Sequence, residues 1–191
     1  MTQLIVIGGS WGGIQASLSI LEGLPPDYSI PIVLVLHRLR NQEGSLQDVF
    51  SKKLSLQATE VEEKEPLLPG HVYLAPANYH VLFEKDHTFS LDDSELENYS
   101  RPSIDVTFTS AADVFGKNTV GILLSGASRD GSSGLNDIFE KGGTAIVQDP
   151  QEAEVATMPQ AAIETIPSCR ILDVARIQYY LLSLHDLKRT S

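Results

Sequence analysis

The fold is decided by the segment Gln3-Leu4-Ile5-Val6-Ile7-Gly8-Gly9-Ser10-Trp11-Gly12-Gly13. Its apolar, β-branched first half predicts a buried strand, its small residues predict a tight turn, and residues 14–21 continue as a helix. A strand, a Gly-rich turn and a helix form the opening unit of doubly wound α/β domains. We therefore expect an α/β fold with a single, mostly parallel sheet flanked by helices.

The turn itself fits three patterns. As Gly8-x-Ser10-x-Gly12 it matches the nucleophile elbow, in which glycines let the chain turn sharply and expose a serine hydroxyl. As a dinucleotide fingerprint it has Ser10 where the second Gly belongs, and as a P-loop it lacks the terminal Lys-Ser/Thr. The sequence of the turn alone does not show whether Ser10 is a nucleophile or whether the turn only connects the strand to the helix. A nucleotide-binding domain is the least supported alternative, because His37 occupies the place expected for the acid that binds ribose.

Strands and helices alternate along the rest of the chain. Further strands are predicted at residues 32–36, 71–76, 120–124, 144–148 and 170–172. Helices are predicted at about 44–54, 104–115 and 174–187, with a short one opening near 158–159. Residues 81–84 and 88–91 predict an antiparallel hairpin inserted in the alternating pattern.

Composition limits the classes of function. At 191 residues the chain suits one domain, 1–191. Its 25 acidic and 14 basic residues give a formal net charge of −11, which disfavours nucleic acid as a partner. The single cysteine, Cys169, excludes an internal disulfide. No apolar run approaches the ~18 residues of a membrane span, and no signal peptide precedes the first strand. We expect no membrane insertion and a cytoplasmic location.

Three reactive side chains follow predicted parallel strands. Ser10 follows the first strand, His37 the second, and Asp130 lies beyond the strand at 120–124. The carboxyl ends of parallel strands share one edge of the sheet, so these residues can converge there. Imidazole can take the proton of a serine hydroxyl, and a carboxylate can fix the tautomer of the imidazole. We therefore predict a catalytic triad in the order Ser…His…Asp, which differs from the order in α/β-hydrolases.

Other residues have candidate roles around this triad. The backbone N–H of Trp11, and that of Ala127 or Ser128, are candidates for an oxyanion hole. Arg101 is a candidate for substrate contact or for tying down its own loop, and Arg38 is a candidate for docking an acidic segment. The other histidines lack ligand-like spacing with cysteine or carboxylates, so we predict no metal and no cofactor.

Several separated blocks resemble one protein family, in the same order and over nearly the whole chain. They are Ile7-Gly8-Gly9-Ser10-Trp11-Gly12-Gly13, Gly70-His71-Val72-Tyr73-Leu74-Ala75-Pro76, Arg101-Pro102-Ser103-Ile104-Asp105-Val106, Leu123-Leu124-Ser125-Gly126-Ala127-Ser128-Arg129-Asp130-Gly131 and Gly142-Gly143-Thr144-Ala145-Ile146-Val147-Gln148-Asp149. In these blocks the chain resembles the catalytic domain of the CheB-type protein-glutamate methylesterases of bacterial chemotaxis. The resemblance implies a doubly wound sheet and a Ser10–His37–Asp130 triad. It also implies hydrolysis of glutamyl methyl esters, and often deamidation of glutamines, on the cytoplasmic helices of chemoreceptors.

The chain also departs from the family pattern. Trp11 stands where the family usually has Thr, Arg38-Leu39 replaces Met-Pro after His37, and Ala127 replaces Met. The family's receiver domain is not expected in residues 1–191, so activity is expected either to be independent of phosphorylation or to depend on a separate receiver protein. Two rival hypotheses follow from the altered rim. One is a serine hydrolase of the same fold acting on another ester or amide, and the other is a non-catalytic module that binds receptors.

Overall fold

The structure is a computed structural model that describes residues 3–37, 45–97 and 99–190. Within these residues a seven-stranded sheet has the order β3-β4-β2-β1-β7-β8-β9, and every neighbouring pair is parallel. The strands of this sheet are β1 (Leu4–Gly9), β2 (Ile32–Leu36), β3 (Gln57–Glu60), β4 (His71–Leu74), β7 (Thr119–Leu123), β8 (Thr144–Gln148) and β9 (Arg170–Leu172). Strands β5 (His80–Phe83) and β6 (Phe89–Asp92) form a separate antiparallel pair.

Strand β1 lies at the centre of the sheet and all six of its residues are buried. It pairs with β2 on one side and with β7 on the other. Side chains alternate between the two faces, so Ile5 and Ile7 join one core cluster while Leu4 and Val6 join the other. Burial on both faces explains why the sequence of this strand is a continuous apolar run.

Helices cover both faces of the sheet. The helices are α1 (Gly13–Leu21), α2 (Leu46–Lys53), α3 (Ile104–Phe115), α4 (Ser132–Glu140), α5 (Thr157–Thr165) and α6 (Val174–Arg189). Helices α1, α2 and α6 bury Leu18, Phe50 and Leu181 in the core cluster on one face. Helices α3, α4 and α5 fill the cluster on the opposite face. The predicted fold class, a mostly parallel sheet flanked by helices with a small hairpin, is confirmed.

The sequence analysis missed one strand of the sheet. Strand β3 has the sequence Gln-Ala-Thr-Glu, and only Ala58 is buried. It pairs with β4 alone, at one edge of the sheet. An edge strand needs few apolar side chains, so it leaves no buried-strand pattern in the sequence.

The chain reverses its direction of winding next to β1. From β1 it proceeds outward through β2 to the strands beyond it, and it then returns to β7 on the other side. This arrangement places the topological switch point between β1 and β7, where open α/β sheets bind their ligands. Among the described residues, no helix is both long enough and apolar enough to cross a membrane.

Candidate active site

The three predicted catalytic residues follow β1, β2 and β7, which are neighbours in the sheet. Ser10 comes directly after β1, and its backbone N–H donates to the carbonyl of Ser125 after β7 at 2.9 Å. His37 comes directly after β2, and its backbone N–H donates to Gly9 O at 3.0 Å. Asp130 lies in the loop between β7 and α4. The loops that carry all three residues therefore start from adjacent strand ends.

The imidazole of His37 contacts the carboxylate of Asp130. Nε2 of His37 lies 2.8 Å from Oδ2 of Asp130, and the two side chains are 14% and 0% exposed. An ionised carboxylate only accepts hydrogen bonds, so Nε2 carries the proton in this pair. This assignment leaves Nδ1 of His37 as the nitrogen able to accept a proton. The structure thus brings together two members of the predicted triad.

The Asp130 carboxylate lies at the N-terminus of α3. Its Oδ2 accepts the backbone N–H of Ile104 at 2.7 Å, and its Oδ1 accepts the N–H of Asp105 at 3.0 Å. Burial by itself raises the pKa of Asp130, but the hydrogen bonds from His37 and from the start of α3 outweigh it. The net result is a pKa below the ordinary aspartate value. The surroundings of Asp130 therefore favour its anionic form.

Ser103 connects Asp130 to a second buried histidine. The Ser103 hydroxyl donates to Oδ1 of Asp130 at 3.0 Å and accepts the N–H of Val106, as an N-cap residue does. The Ser103 N–H donates to Nδ1 of His80 at 3.1 Å, and Nε2 of His80 lies 3.0 Å from Glu95 O. These links from Ser103 to Asp130 and His80 were not predicted from the sequence.

Asp105 is a second carboxylate beside Asp130. Its Oδ1 accepts the N–H of Gly134 at 2.7 Å, so the side chain joins α3 to α4. Burial, together with the nearby negative charge of Asp130, raises the pKa of Asp105 to about 6. Sequence reasoning missed this pair, because only the fold brings residues 105 and 130 together.

Ser10 has a different backbone from the serine of a strained elbow. Among the described residues, the non-glycine residues with positive φ do not include Ser10, whereas Gly12 has φ 79°. Gly126 packs tightly against Ser10, since a Cβ built on Gly126 would lie 2.9 Å from Cβ of Ser10. No hydrogen bond joins Ser10 Oγ to His37 within the described part of the chain. Such contacts often form only once substrate is bound.

The oxyanion-hole candidates are the backbone N–H groups of Trp11 and Ala127. Within residues 3–37, 45–97 and 99–190, no hydrogen-bond acceptor is found for the backbone N–H of Trp11 or of Ala127. The turns that carry them are joined by the Ser125 hydroxyl, which donates to Trp11 O at 2.7 Å and accepts the N–H of Val155 at 2.9 Å. Both donors are thus held in place before any substrate arrives.

The arginines predicted to contact substrate have other partners or lie outside the described residues. Nη1 of Arg101 donates to the backbone carbonyls of Asp93 and Ser94, which ties down its own loop. Arg38 lies outside the described residues. Substrate contact by either arginine stays a prediction.

A groove on the described surface is not lined by the predicted triad. A groove of about 580 Å³ runs along α3, but Ser10, His37 and Asp130 do not line it. In the part of the chain that the structure describes, no three His, Cys, Asp or Glu side chains are grouped so that they could hold a metal ion.

A protein-family model described as CheB methylesterase matches residues 5–181. The chain belongs to the CheB methylesterase family. The family and the enzyme class predicted from the sequence, a carboxylic-ester hydrolase, are therefore confirmed.

Relatives within the CheB family support this assignment along most of the chain. A Leptospira interrogans protein, provisionally named as a protein-glutamate methylesterase/protein-glutamine glutaminase, is 44% identical over 95% of this chain and 94% of its own length. Protein-glutamate methylesterase/protein-glutamine glutaminase 1 of Carboxydothermus hydrogenoformans is 38% identical, and the match covers 92% of this chain but 53% of that protein. The crystal structure of the Thermotoga maritima CheB methylesterase catalytic domain superposes with a TM-score of 0.90 at 31% identity, covering 96% of this chain and 99% of that one.

Membership of the CheB family does not by itself assign the site residues. Ser10, His37 and Asp130 remain a predicted triad, and Trp11 and Ala127 remain predicted oxyanion donors. What the geometry adds is the contact between His37 and Asp130 and the anchoring of Asp130 on α3.

Proposed function

We propose that this chain is a protein-glutamate methylesterase that hydrolyses glutamyl γ-methyl esters on the cytoplasmic helices of chemoreceptors. We propose that it also deamidates glutamines in the same segments and that it acts in the cytoplasm. The observation that carries the proposal is the 2.8 Å contact between His37 and the buried Asp130, formed beside Ser10 at the switch point of a CheB-family fold.

In the proposed reaction Ser10 is the nucleophile. Its Oγ attacks the γ-carbonyl carbon of the ester while Nδ1 of His37 takes the hydroxyl proton. Asp130 accepts the Nε2–H hydrogen bond, which keeps the ring in this tautomer and stabilises the imidazolium that forms. The N–H groups of Trp11 and Ala127 would donate to the oxyanion of the tetrahedral intermediate.

Collapse of this intermediate breaks the bond to the methoxy group. His37 gives its proton to the departing oxygen, so methanol leaves and an acyl-enzyme remains on Ser10. Water then attacks the acyl carbon, again with His37 as the base, and hydrolysis releases a glutamate side chain and free Ser10. With glutamine as the substrate the same steps release ammonia.

The proposal is tested by methanol release from a methylated chemoreceptor fragment, with wild type and Ser10→Ala measured in parallel. We expect release by the wild type and a fall of several orders of magnitude in Ser10→Ala. Undiminished release by Ser10→Ala refutes the mechanism. Labelling of Ser10 by an activated-serine probe counts against a non-catalytic binding module, and a panel of other acyl esters tests for a different hydrolase.

A further inference from the structure

Trp11 is an exposed aromatic residue directly after the proposed nucleophile. It is the only tryptophan in the chain, and 60% of it is exposed to solvent. Tryptophan buries a large apolar area when it can, and exposed aromatic side chains at fixed positions are typical of binding surfaces. Packing in the core therefore does not explain why a tryptophan occupies this position.

The exposed indole is held in one orientation. Its Nε1–H donates to Oε1 of Glu154 at 2.7 Å, a short hydrogen bond to a carboxylate group that aligns the ring. Glu154 lies directly against the turn, since a Cβ built on Gly12 would be 2.8 Å from Cβ of Glu154. The Trp11 carbonyl is fixed separately by the Ser125 hydroxyl. Both the backbone and the ring of Trp11 are thus anchored, while most of the residue stays exposed to solvent.

The hydrogen bond between Trp11 and Glu154 is not needed to hold the loop that carries Glu154. This loop is fastened by the bond from Val155 N–H to Ser125 Oγ at 2.9 Å and by the bond from Gly126 N–H to Val155 O at 3.1 Å. The additional bond from an exposed indole to an exposed carboxylate contributes little to folding, because water competes for both groups. Its evident effect is to pre-organise the ring.

We propose that Trp11 is a specificity-determining residue for substrate and that Glu154 is its positioning residue. This inference rests on the proposed function. The indole forms an apolar wall beside Ser10, against which the uncharged glutamyl ester side chain and the adjacent substrate helix pack. The Glu154 carboxylate adds negative charge at the same wall. It therefore disfavours the glutamate product, which is an anion, over the neutral ester or amide.

Three variants separate these roles. Trp11→Phe keeps an aromatic ring but loses the N–H, and Glu154→Ala removes the acceptor. Glu154→Gln keeps an acceptor for the indole and removes only the charge. For a methylated receptor fragment we expect Trp11→Phe and Glu154→Ala each to raise KM by about five- to tenfold with a smaller change in kcat. The KM of the double variant, Trp11→Phe with Glu154→Ala, is expected to be no higher than that of the poorer single variant, because both changes break the same hydrogen bond.

Glu154→Gln makes a separate prediction about the product. Its KM for the methylated fragment is expected to stay within about twofold of wild type. Inhibition by the same fragment carrying free glutamates is expected to become about three- to tenfold tighter, because the repelling charge is gone. Unchanged product inhibition overturns the role proposed for the charge.

The fluorescence of Trp11 gives a readout that a structural role would not move. Binding of the methylated fragment to Ser10→Ala is expected to shift the emission to shorter wavelength, because the exposed part of the indole leaves water. An active wild type whose variants keep the wild-type KM, with no spectral shift on binding, overturns the inference and leaves the proposed function standing. Equal losses on the fragment and on 4-nitrophenyl acetate also overturn it, because they indicate a general defect of the turn. A wild type that releases no methanol overturns the proposed function itself.

Discussion

Nε2 of His37 lies 2.8 Å from Oδ2 of Asp130, although the strands that precede these residues are separated by β1. The contact crosses the end of the central strand, where Ser10 begins its turn. Three consecutive loops along this edge thus supply a hydroxyl, an imidazole and a carboxylate.

Asp130→Asn should lower kcat about 10⁴-fold, because an amide can donate to His37 and stabilise the wrong tautomer. The control is Asp137→Asn, which changes a carboxylate on α4 that accepts the Thr109 hydroxyl at 2.6 Å. Steady-state methanol release from methylated receptor measures both variants. Comparable activity in the two variants would contradict the orienting role of Asp130.

Ser103→Ala should reduce both stability and activity. The change removes the N-cap of α3, which costs about 1 kcal/mol in free energy of unfolding, and it removes a hydrogen bond to Asp130. We expect kcat to fall about tenfold. The control is Asp173→Ala, which removes the cap of α6, an acceptor for Arg176 N–H at 2.7 Å. Denaturant unfolding should show a loss of stability in both variants, larger in Ser103→Ala, with activity reduced only in Ser103→Ala.

Asp105→Asn should alter how stability depends on pH. Burial raises the pKa of Asp105 from 3.8 to about 6, so between these values the native state binds a proton that the unfolded chain has lost. The free energy of unfolding therefore falls as pH rises through this window and then levels off. Asp105→Asn should remove this fall, by an amount on the order of 1 kcal/mol after allowing for partial exposure.

Asn at position 105 can still accept the Gly134 N–H, whereas Ala cannot. Asp105→Ala should therefore be less stable than Asp105→Asn at every pH. The measurement is the midpoint of urea unfolding at pH 4, 5, 6 and 8 for both variants and the wild type. A pH slope in Asp105→Asn equal to that of wild type is the result that contradicts this prediction.

Gly126→Ala should strongly reduce activity without unfolding the protein. The added Cβ would lie 2.9 Å from Cβ of Ser10 and 2.6 Å from Cε of Met158. Met158 can move its flexible end, but Ser10 must shift, and a shift of this kind is expected to cost roughly 10²-fold in kcat. Gly23→Ala is the control, because its Cβ would meet only the end of the Gln178 side chain, far from the reaction centre. Retained activity in Gly126→Ala would show that Ser10 is free to adjust.

The sheet could be predicted from the sequence because its strands are buried on both faces. Residues 4–9, 32–36 and 119–123 are apolar almost throughout, and the residues between them have helical spacing and turn signals. Strand β3 was missed because an edge position requires only one buried side chain, Ala58. The hydrophobic pattern of a sequence reflects which side chains are buried, so it does not reveal a strand in which only one side chain is buried.

The site was predictable only in part, for a related reason. The rule that strand ends converge led to the prediction that Ser10, His37 and Asp130 lie at one edge of the sheet, and His37 and Asp130 are in contact there. The rule does not say which imidazole nitrogen faces the carboxylate, nor that α3 supplies two N–H donors to Asp130. The bond between Trp11 and Glu154 joins residues 143 positions apart and follows no sequence pattern. Such contacts depend on side-chain directions that only the folded chain defines.

The hydroxyl of Ser125 bears on how this edge of the sheet can evolve. One oxygen atom fastens the turn after β1 to the segment after β8, and the residue that carries it belongs to a third segment, the one after β7. Replacing any one of these segments with that of a relative would change only one partner of these hydrogen bonds and so put them at risk. Chimeras that exchange all three segments together, including Ser125, should retain both hydrogen bonds and the relative positions of the segments. We therefore expect the three segments to evolve together.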